Sequence, residues 1–419
     1  MGETLPQVKI AKKYIKKGGK AIFFSHGGKF QHLAQEIGCD VVKLKNLGWK
    51  DAMVGVDRSK TSFERQQFIV YNKKTIEPIV KSEIEAFKKK GIDLVISCFN
   101  PTCSISTKVL EIPLIILISG TTSSVYYRSG FATFPENYEN IFTRILPSSF
   151  KNYLTRWLLL NNKLLVKDFN RVANKYNIKK FSTLNEILES DYTLLCDDIN
   201  FLGIKPTKRF PVENFIGPVS MELSKSKSDG LENDIKKHLK RSGKSILFTM
   251  GSASSNIDSS ISKIFLKVLK RLNQTDYNVI VVSGKIPIKM IPKTNENILL
   301  KKFIKSPQAL HKMVDLAIIH GGRGTVYNVA YSGKPSIGIP FFIEQQYNIE
   351  SLVRNKAGIM ISSKFFSSYK LMNSINTIFE NYDFYLENSK KLSKKLSRIN
   401  GEERALKRIM QIADKEIKK

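Results

Sequence analysis

The sequence predicts an α/β protein of two domains. Three observations point there. Short apolar runs alternate with helix-period segments along most of the chain, the pattern of strands feeding helices. A strand, glycine turn, helix unit stands near each end, at 20–38 and at 315–333. Between them the polar, lysine- and serine-rich residues 220–234 behave as a linker, and a chain of 419 residues with 42% hydrophobic content can bury two cores.

Taken in order, residues 1–19 are polar and lysine-rich, a lead-in helix without chemistry. Residues 20–24 (KAIFF) form the first strand, followed by the turn Ser25-His26-Gly27-Gly28 and a helix over 31–37 that stops at Gly38. His26 sits at the mouth of that turn. A strand over 41–44, a mixed loop over 49–68, an amphipathic helix over 75–90 stopped by Gly91, and strands over 92–97 and 113–118 follow. Residues 119–127 (SGTTSSVYY) read as a loop of hydroxyls and aromatics. From Phe131 to Asn177 the pattern is helical, aromatic and basic; the runs 156–160 and 164–169 either lie in a lipid headgroup region or pack on the sheet.

The second domain restarts with a strand over 245–250, a Gly251-Ser252 turn and a helix over 259–272. A strand over 278–282 closes on Ser283, one over 298–300 leads to Phe303, and Ser306 caps a helix with Pro307 at its first position and Gln308 after it. The apolar run 315–319 reads as a buried parallel strand. It delivers His320, Gly321, Gly322 and Gly324 into a helix over 325–332, ended by Gly333 and Pro335. Glycines permit positive φ and close ligand approach, while the N–H groups of Gly324 and Thr325 at a helix start favour phosphate. A strand over 336–339 then places Glu344 and Gln345 on a loop after Pro340, an acceptor and donor pair suited to sugar hydroxyls in the crevice where open α/β sheets bind ligands. One more strand over 357–360 precedes lysine-rich helices over 371–417.

A lone glycine cluster is equally a tight turn. Here His320-Gly-Gly, Gly324-Thr325, Gly333-Lys-Pro335, Pro340, Glu344-Gln345 and Asn348 occur in fixed order, and the run resembles the donor-binding signature of nucleotide-sugar glycosyltransferases with two Rossmann-like, doubly wound domains facing across a cleft (GT-B). The resemblance is to the UDP-glycosyltransferase superfamily, including the bacterial macrolide and sterol glycosyltransferases. It implies an acceptor domain over 1–218, a linker over 219–243, a donor domain over 244–382, and C-terminal helices over 383–419, the last returning to the first domain. It implies inverting hexosyl transfer from a nucleotide diphosphate sugar, UDP foremost, to an acceptor hydroxyl, without a metal or other cofactor. His26 falls on the family's catalytic-base position, chemically suited because an imidazole of pKa ~6.5 can take a hydroxyl proton. Gly251, Ser252, Ser283, Phe303, Gln308, His320, Gly321, Gly322, Gly324, Thr325, Asn328, Glu344 and Gln345 fall on donor-binding positions, with Phe303 where plant members place a tryptophan against the base. The 49–68 loop and residues 119–127 would line the acceptor side.

Two positions depart from that family. Many members carry an aspartate after the 92–97 strand to orient the base, whereas this chain has Cys98-Phe99-Asn100, so that Asn100 or an acidic residue elsewhere must hold the ring. Asn328 replaces a ribose-binding glutamate, which weakens nucleotide binding by ~1–3 kcal/mol.

Charge is the one unusual bulk property. A formal +31 and a pI near 9.8 attract something acidic, whether nucleic acid, an anionic membrane surface or phosphorylated substrates, although scattered lysines equally reflect solvated helix faces. No nucleic-acid-binding signature accompanies the charge. Four cysteines without CxxC spacing read as reduced thiols in a cytosolic protein and not as a zinc site. The longest apolar run, 112–118, is far short of the ~20 residues that cross a bilayer, and the N-terminus lacks an apolar signal core; membrane contact is expected only at the surface, with a lipid or other hydrophobic acceptor. Rival readings are a nucleotide-sugar epimerase and a binding protein of the same fold without catalysis.

Overall fold

A computed structural model describes residues 4–28, 30–45, 71–219, 231–251, 259–284, 286 and 291–417. The expected 49–68 loop and Ser252 lie outside them. The chain divides into two compact units: Met1–Ala132 with Asn152–Met221 and Asn400–Lys419, and Thr133–Lys151 with Glu222–Ile399. Residues 133–151 therefore leave the continuous 1–218 stretch expected for the first domain.

In the first unit, all strand pairs are parallel. β1 (Ile22–Ser25) pairs with β2 (Asp40–Lys43), and β4 (Leu114–Ile118) lies between β3 (Val95–Ser97) and β5 (Tyr192–Leu195). The five residues of β4 are all apolar and four are buried, as a central parallel strand requires. The helix Ile76–Lys90 buries the stripe Ile76, Ile79, Val80, Glu83 and Phe87, and Gly91 ends it in the left-handed conformation. A carboxylate thus sits in an otherwise apolar row. The helices Thr4–Lys16 and Gly401–Glu416 pack together: Ile10, Ala405, Ile409 and Ile412 share a core with Ile115, Leu117 and Leu194, and Lys13 bonds Glu403 at 3.0 Å.

Residues 119–127 are not the expected open loop. They form a 3₁₀ turn, Gly120–Thr122, and the helix Ser124–Arg128, with Ser123, Ser124 and Tyr126 fully buried. The cause is polar satisfaction: buried Glu189 accepts from the Ser124 N–H at 2.6 Å and its hydroxyl at 2.8 Å, so these hydroxyls serve the interior.

The second unit is a single parallel sheet in the order β11-β10-β9-β6-β7-β8. Its strands are β6 (Ser245–Thr249), β7 (Asn278–Val282), β8 (Ile298–Lys301), β9 (Leu316–Ile319), β10 (Ser336–Gly338) and β11 (Gly358–Met360). Strands run outward from β6 on one side and from β9 on the other, the classic dinucleotide-fold order, so the switch point lies between β6 and β9. Phe248 of β6 stacks on Phe265 of the helix Ser259–Leu272 at 4.9 Å in the centre of the core. The expected linker over 219–243 already contains folded structure: the helix Asn233–Leu239 buries Ile235 beside Leu231, Leu247 and Ile280.

Residues 133–151 are held to this unit by several bonds, three of them from one glutamine. Gln346 of the helix Ile343–Arg354 donates to the Thr133 hydroxyl at 2.9 Å and the Phe134 carbonyl at 3.1 Å, and accepts from the Glu136 N–H at 3.0 Å. Tyr347 adds a bond from its hydroxyl to the Thr133 carbonyl at 2.9 Å.

Candidate active site

The switch point brings together two glycine turns that are 69 residues apart in the chain. Thr249, at the end of β6, is in register with Ile319, at the end of β9, so Gly251 and His320 emerge side by side at the carboxyl edge. The His320 ring lies between backbones. A Cβ on Gly251 or on Gly322 would overlap it, and one on Gly321 would stand 2.6 Å from the Gln345 carbonyl. Gly251 and Gly321 also have φ of +68° and +87°, which side chains rarely adopt. Glycine is required here by packing and by backbone together.

His320 is buried, and its Nδ1 has no hydrogen-bond partner among the described residues. Burial pushes its pKa down to about 4, so the ring is neutral at pH 7 and one nitrogen carries a proton it can donate. The helix that follows starts at Arg323, two residues earlier than the spacing predicts. Gly322 is its N-cap and supplies no capping side chain. The first N–H groups of that helix, those of Gly324 and Thr325 among them, are unspent within it. A buried imidazole and a helix start at a switch point favour an oxygen-rich anion. Asn348 fixes the turn from behind, donating to the Gly321 carbonyl at 3.1 Å.

The other predicted donor residues are distributed over the same sheet edge. Ser283 follows β7, buried, with its hydroxyl 3.4 Å from the Lys301 carbonyl. Phe303 follows β8 and is 70% exposed, a large ring left in solvent. Ser306 occupies the N-cap of the helix Pro307–Met313 but makes no capping bond, and Gln308 is half-buried in the first turn. Asn328 is half-buried on the helix Arg323–Ser332. Glu344 and Gln345 do not sit on a loop. They occupy the first turn of the helix Ile343–Arg354, where the side-chain Oε1 of Gln345 accepts from the Phe341 N–H at 2.9 Å and closes the turn after Pro340.

In the first unit, His26 follows β1 and its side chain is 10% exposed. Its Nε2 lies 3.1 Å from the carboxylate of Glu83, and its Nδ1 lies 2.8 Å from the Lys45 carbonyl. Two acceptors facing two ring nitrogens are satisfied together only by the doubly protonated imidazolium. Burial alone would lower the His26 pKa. The Glu83 hydrogen bond and charge, with the Lys45 carbonyl, outweigh it and raise the pKa above the ordinary value.

Glu83 is the acidic residue that the Cys98-Phe99-Asn100 departure calls for, and it arrives from a different element. It is fully buried and accepts from Asn100 Nδ2 at 2.9 Å, from the Thr102 hydroxyl at 2.7 Å and from the Ser106 hydroxyl at 2.7 Å. Asn100 therefore braces the carboxylate, not the imidazole. Phe99 adopts a left-handed φ of +54°, a strained turn for a bulky residue that sets Asn100 in place.

Residues 245–406 match the family described as Glycosyltransferase family 28 C-terminal domain. Among curated proteins, UDP-glucuronosyltransferase 2B33 of Macaca mulatta is 26% identical over 349 residues, covering 78% of this chain and 60% of the relative. Among solved structures, CalG4, the calicheamicin glycosyltransferase, aligns with a TM-score of 0.69 at 15% identity, covering 98% of this chain and 95% of that one. The glycosyltransferase of kitacinnamycin aligns at 0.68 and 16% identity, over 97% and 95%. The chain is thus similar to UDP-glycosyltransferases, most directly through its second unit. Its fold is GT-B, the fold of those solved enzymes. The curated relative is longer: this chain spans 60% of its length. The matched region contains β6 to β11 and every predicted donor residue from Gly251 to Gln345.

Proposed function

We propose that this protein is a hexosyltransferase that moves a sugar, with inversion, from a nucleotide diphosphate donor to an acceptor hydroxyl. The observation that carries the donor half is the buried His320 imidazole, unpartnered at Nδ1 among the described residues, beside a helix start at the sheet's switch point. UDP is the proposed nucleotide, because the curated relative is by name a UDP-glucuronosyltransferase. A lipid or other hydrophobic alcohol at an anionic membrane face is the proposed acceptor.

The acceptor oxygen attacks the anomeric carbon as the bond from that carbon to the diphosphate oxygen breaks. The leaving diphosphate carries away the electron pair, and negative charge grows on its oxygens. His320 and the amides of Gly324 and Thr325 supply fixed donors for that charge, which need no reorganisation during the step. Phe303 offers its exposed ring to the base. Glu344 and Gln345 hold sugar hydroxyls.

The acceptor's proton passes to His26, which must first be neutral. With Nε2 bound to Glu83, Nδ1 is the nitrogen that receives it, and the acceptor hydroxyl takes the place of the Lys45 carbonyl. Glu83 then stabilises the imidazolium that forms.

The test is a thermal-shift panel of UDP, dTDP and GDP, followed by transfer assays with His26→Ala. A nucleotide at 100 times its Kd stabilises by ~2.7 kcal/mol. We expect UDP to stabilise both the wild type and His26→Ala, and only the wild type to transfer. Stabilisation by none of the three, or undiminished transfer by His26→Ala, overturns the reading. A nucleotide-sugar-binding protein without transfer is the second reading, favoured by the occupation of both His26 nitrogens; it predicts stabilisation and no sugar transfer by the wild type.

A further inference from the structure

Ten of the eighteen exposed large hydrophobic residues among those described fall between positions 138 and 158. On the helix Ser148–Leu160 they are Phe150, Tyr153, Leu154, Trp157 and Leu158, spaced three and four apart on one face, and only Thr155 is buried. The short helix Ile141–Arg144 before it is just as bare, and Ile145 after it is 81% exposed. Among the described residues no internal packing explains this run. Isolated exposed apolar side chains are ordinary, whereas a contiguous group marks a surface that meets something.

Charge decides what that is. From 140 to 167 the chain carries Arg144, Lys151, Arg156, Lys163 and Lys167 and no aspartate or glutamate; Lys151 is ion-paired with Glu139 at 2.7 Å, and the other four set the sign of this face, within a protein of formal charge +31. A second copy would bring the same positive field to the same face, and like charges oppose that pairing. An anionic bilayer offers the complement to both properties: headgroup phosphates for the basic residues, and an interfacial layer in which Trp, Tyr and Phe rings settle.

We propose that residues 141–158 dock the protein on an anionic lipid surface, with the helix Ser148–Leu160 lying in the headgroup plane. The inference rests on the proposed function for its purpose, bringing the enzyme to a lipid-borne acceptor, and on the exposed helix for its physics.

The experiment is flotation of the full chain with vesicles of equal parts phosphatidylcholine and phosphatidylglycerol, against phosphatidylcholine alone, at low salt. Variants are Trp157→Ser with Leu154→Ser, Ile145→Ser with Phe142→Ser, and Lys163→Gln with Lys167→Gln. UDP-induced thermal stabilisation is read on every sample. The wild type is expected to float with the anionic vesicles only. Each apolar pair is expected to lower partitioning about tenfold, and the lysine pair severalfold, with the UDP shift unchanged. Failure of the wild type to float, or equal flotation by all variants, overturns docking. Concentration-dependent dimerisation lost in the apolar variants would overturn it in favour of a second copy. Absence of the UDP shift with normal flotation would sink the proposed function and leave docking standing.

Discussion

Replacing Glu83 by glutamine tests the His26 arrangement with little change of shape. The carboxylate accepts from His26, Asn100, Thr102 and Ser106. An amide oxygen in the Oε1 position keeps the first three as donors to a neutral acceptor, and the amide N–H₂ faces Ser106, whose hydroxyl can turn to the Thr102 carbonyl at 3.3 Å. The folding cost should therefore stay within about 1–3 kcal/mol, the loss of charge assistance in one network. Glutamate to alanine would leave several buried donors unpaired and cost more, so glutamine is the informative change.

The kinetic effect should be larger. In the wild type the Glu83 hydrogen bond and charge overcome burial and hold the His26 pKa above ~6.5, so transfer should rise with pH through that raised value. Without the charge, burial dominates and the acid limb of kcat/KM should move to lower pH, while the plateau falls by roughly 10²–10⁴ as the ring loses its orienting partner. Stability follows the opposite arm of the same linkage. A raised histidine pKa contributes stability that is complete below the unfolded value of ~6.5 and is lost as pH rises through the folded value, so the gap between wild type and Glu83→Gln should be widest in acid. Urea melts across pH and a pH–rate profile measure both. An unmoved acid limb with wild-type turnover would refute the role assigned to Glu83.

Two further outcomes concern the donor half. Phe303→Ala, at an exposed site, should leave stability within about 0.5 kcal/mol and weaken UDP binding by about 1–3 kcal/mol through lost stacking on the base, measured by calorimetry. His320 titrates at about 4 when folded, against 6.5 for the free side chain. The unfolded chain gains its proton first, so on the order of 3 kcal/mol should be lost between pH 6.5 and 4, and urea melts of His320→Gln should show a shallower decline.

Most of the backbone arrangement around His320 was legible in the sequence because it is local. His320, its glycines and the capping Gly333 lie within one strand, turn and helix, with Asn348 on the next helix, and glycine spacing states the backbone requirement directly. The first unit was less so. Glu83 reaches His26 from a helix 57 residues further along, and no spacing rule links them; the available signal was a lone carboxylate in the apolar row Ile76, Ile79, Val80, Phe87. Residues 119–127 misled in the same way, since hydroxyl-rich composition looks like open loop until the buried acceptor, Glu189, is known. Gln346 and its hold on residues 133–136 were invisible because the partners are more than 200 residues apart.

The helix Gly401–Glu416 bears on how the protein can be divided. Ala405, Ile409 and Ile412 fill the same core as Ile115, Leu117 and Leu194, although the whole second unit intervenes in the chain. A fragment ending near residue 219 would carry an open apolar trough where that helix belongs, and the complementary fragment would bear a stray amphipathic tail. Mixing the two halves should restore solubility as that tail refills the trough and residues 133–136 regain their bonds to Gln346 and Tyr347, which makes the terminal helix a natural handle for reassembling the protein from separately expressed pieces.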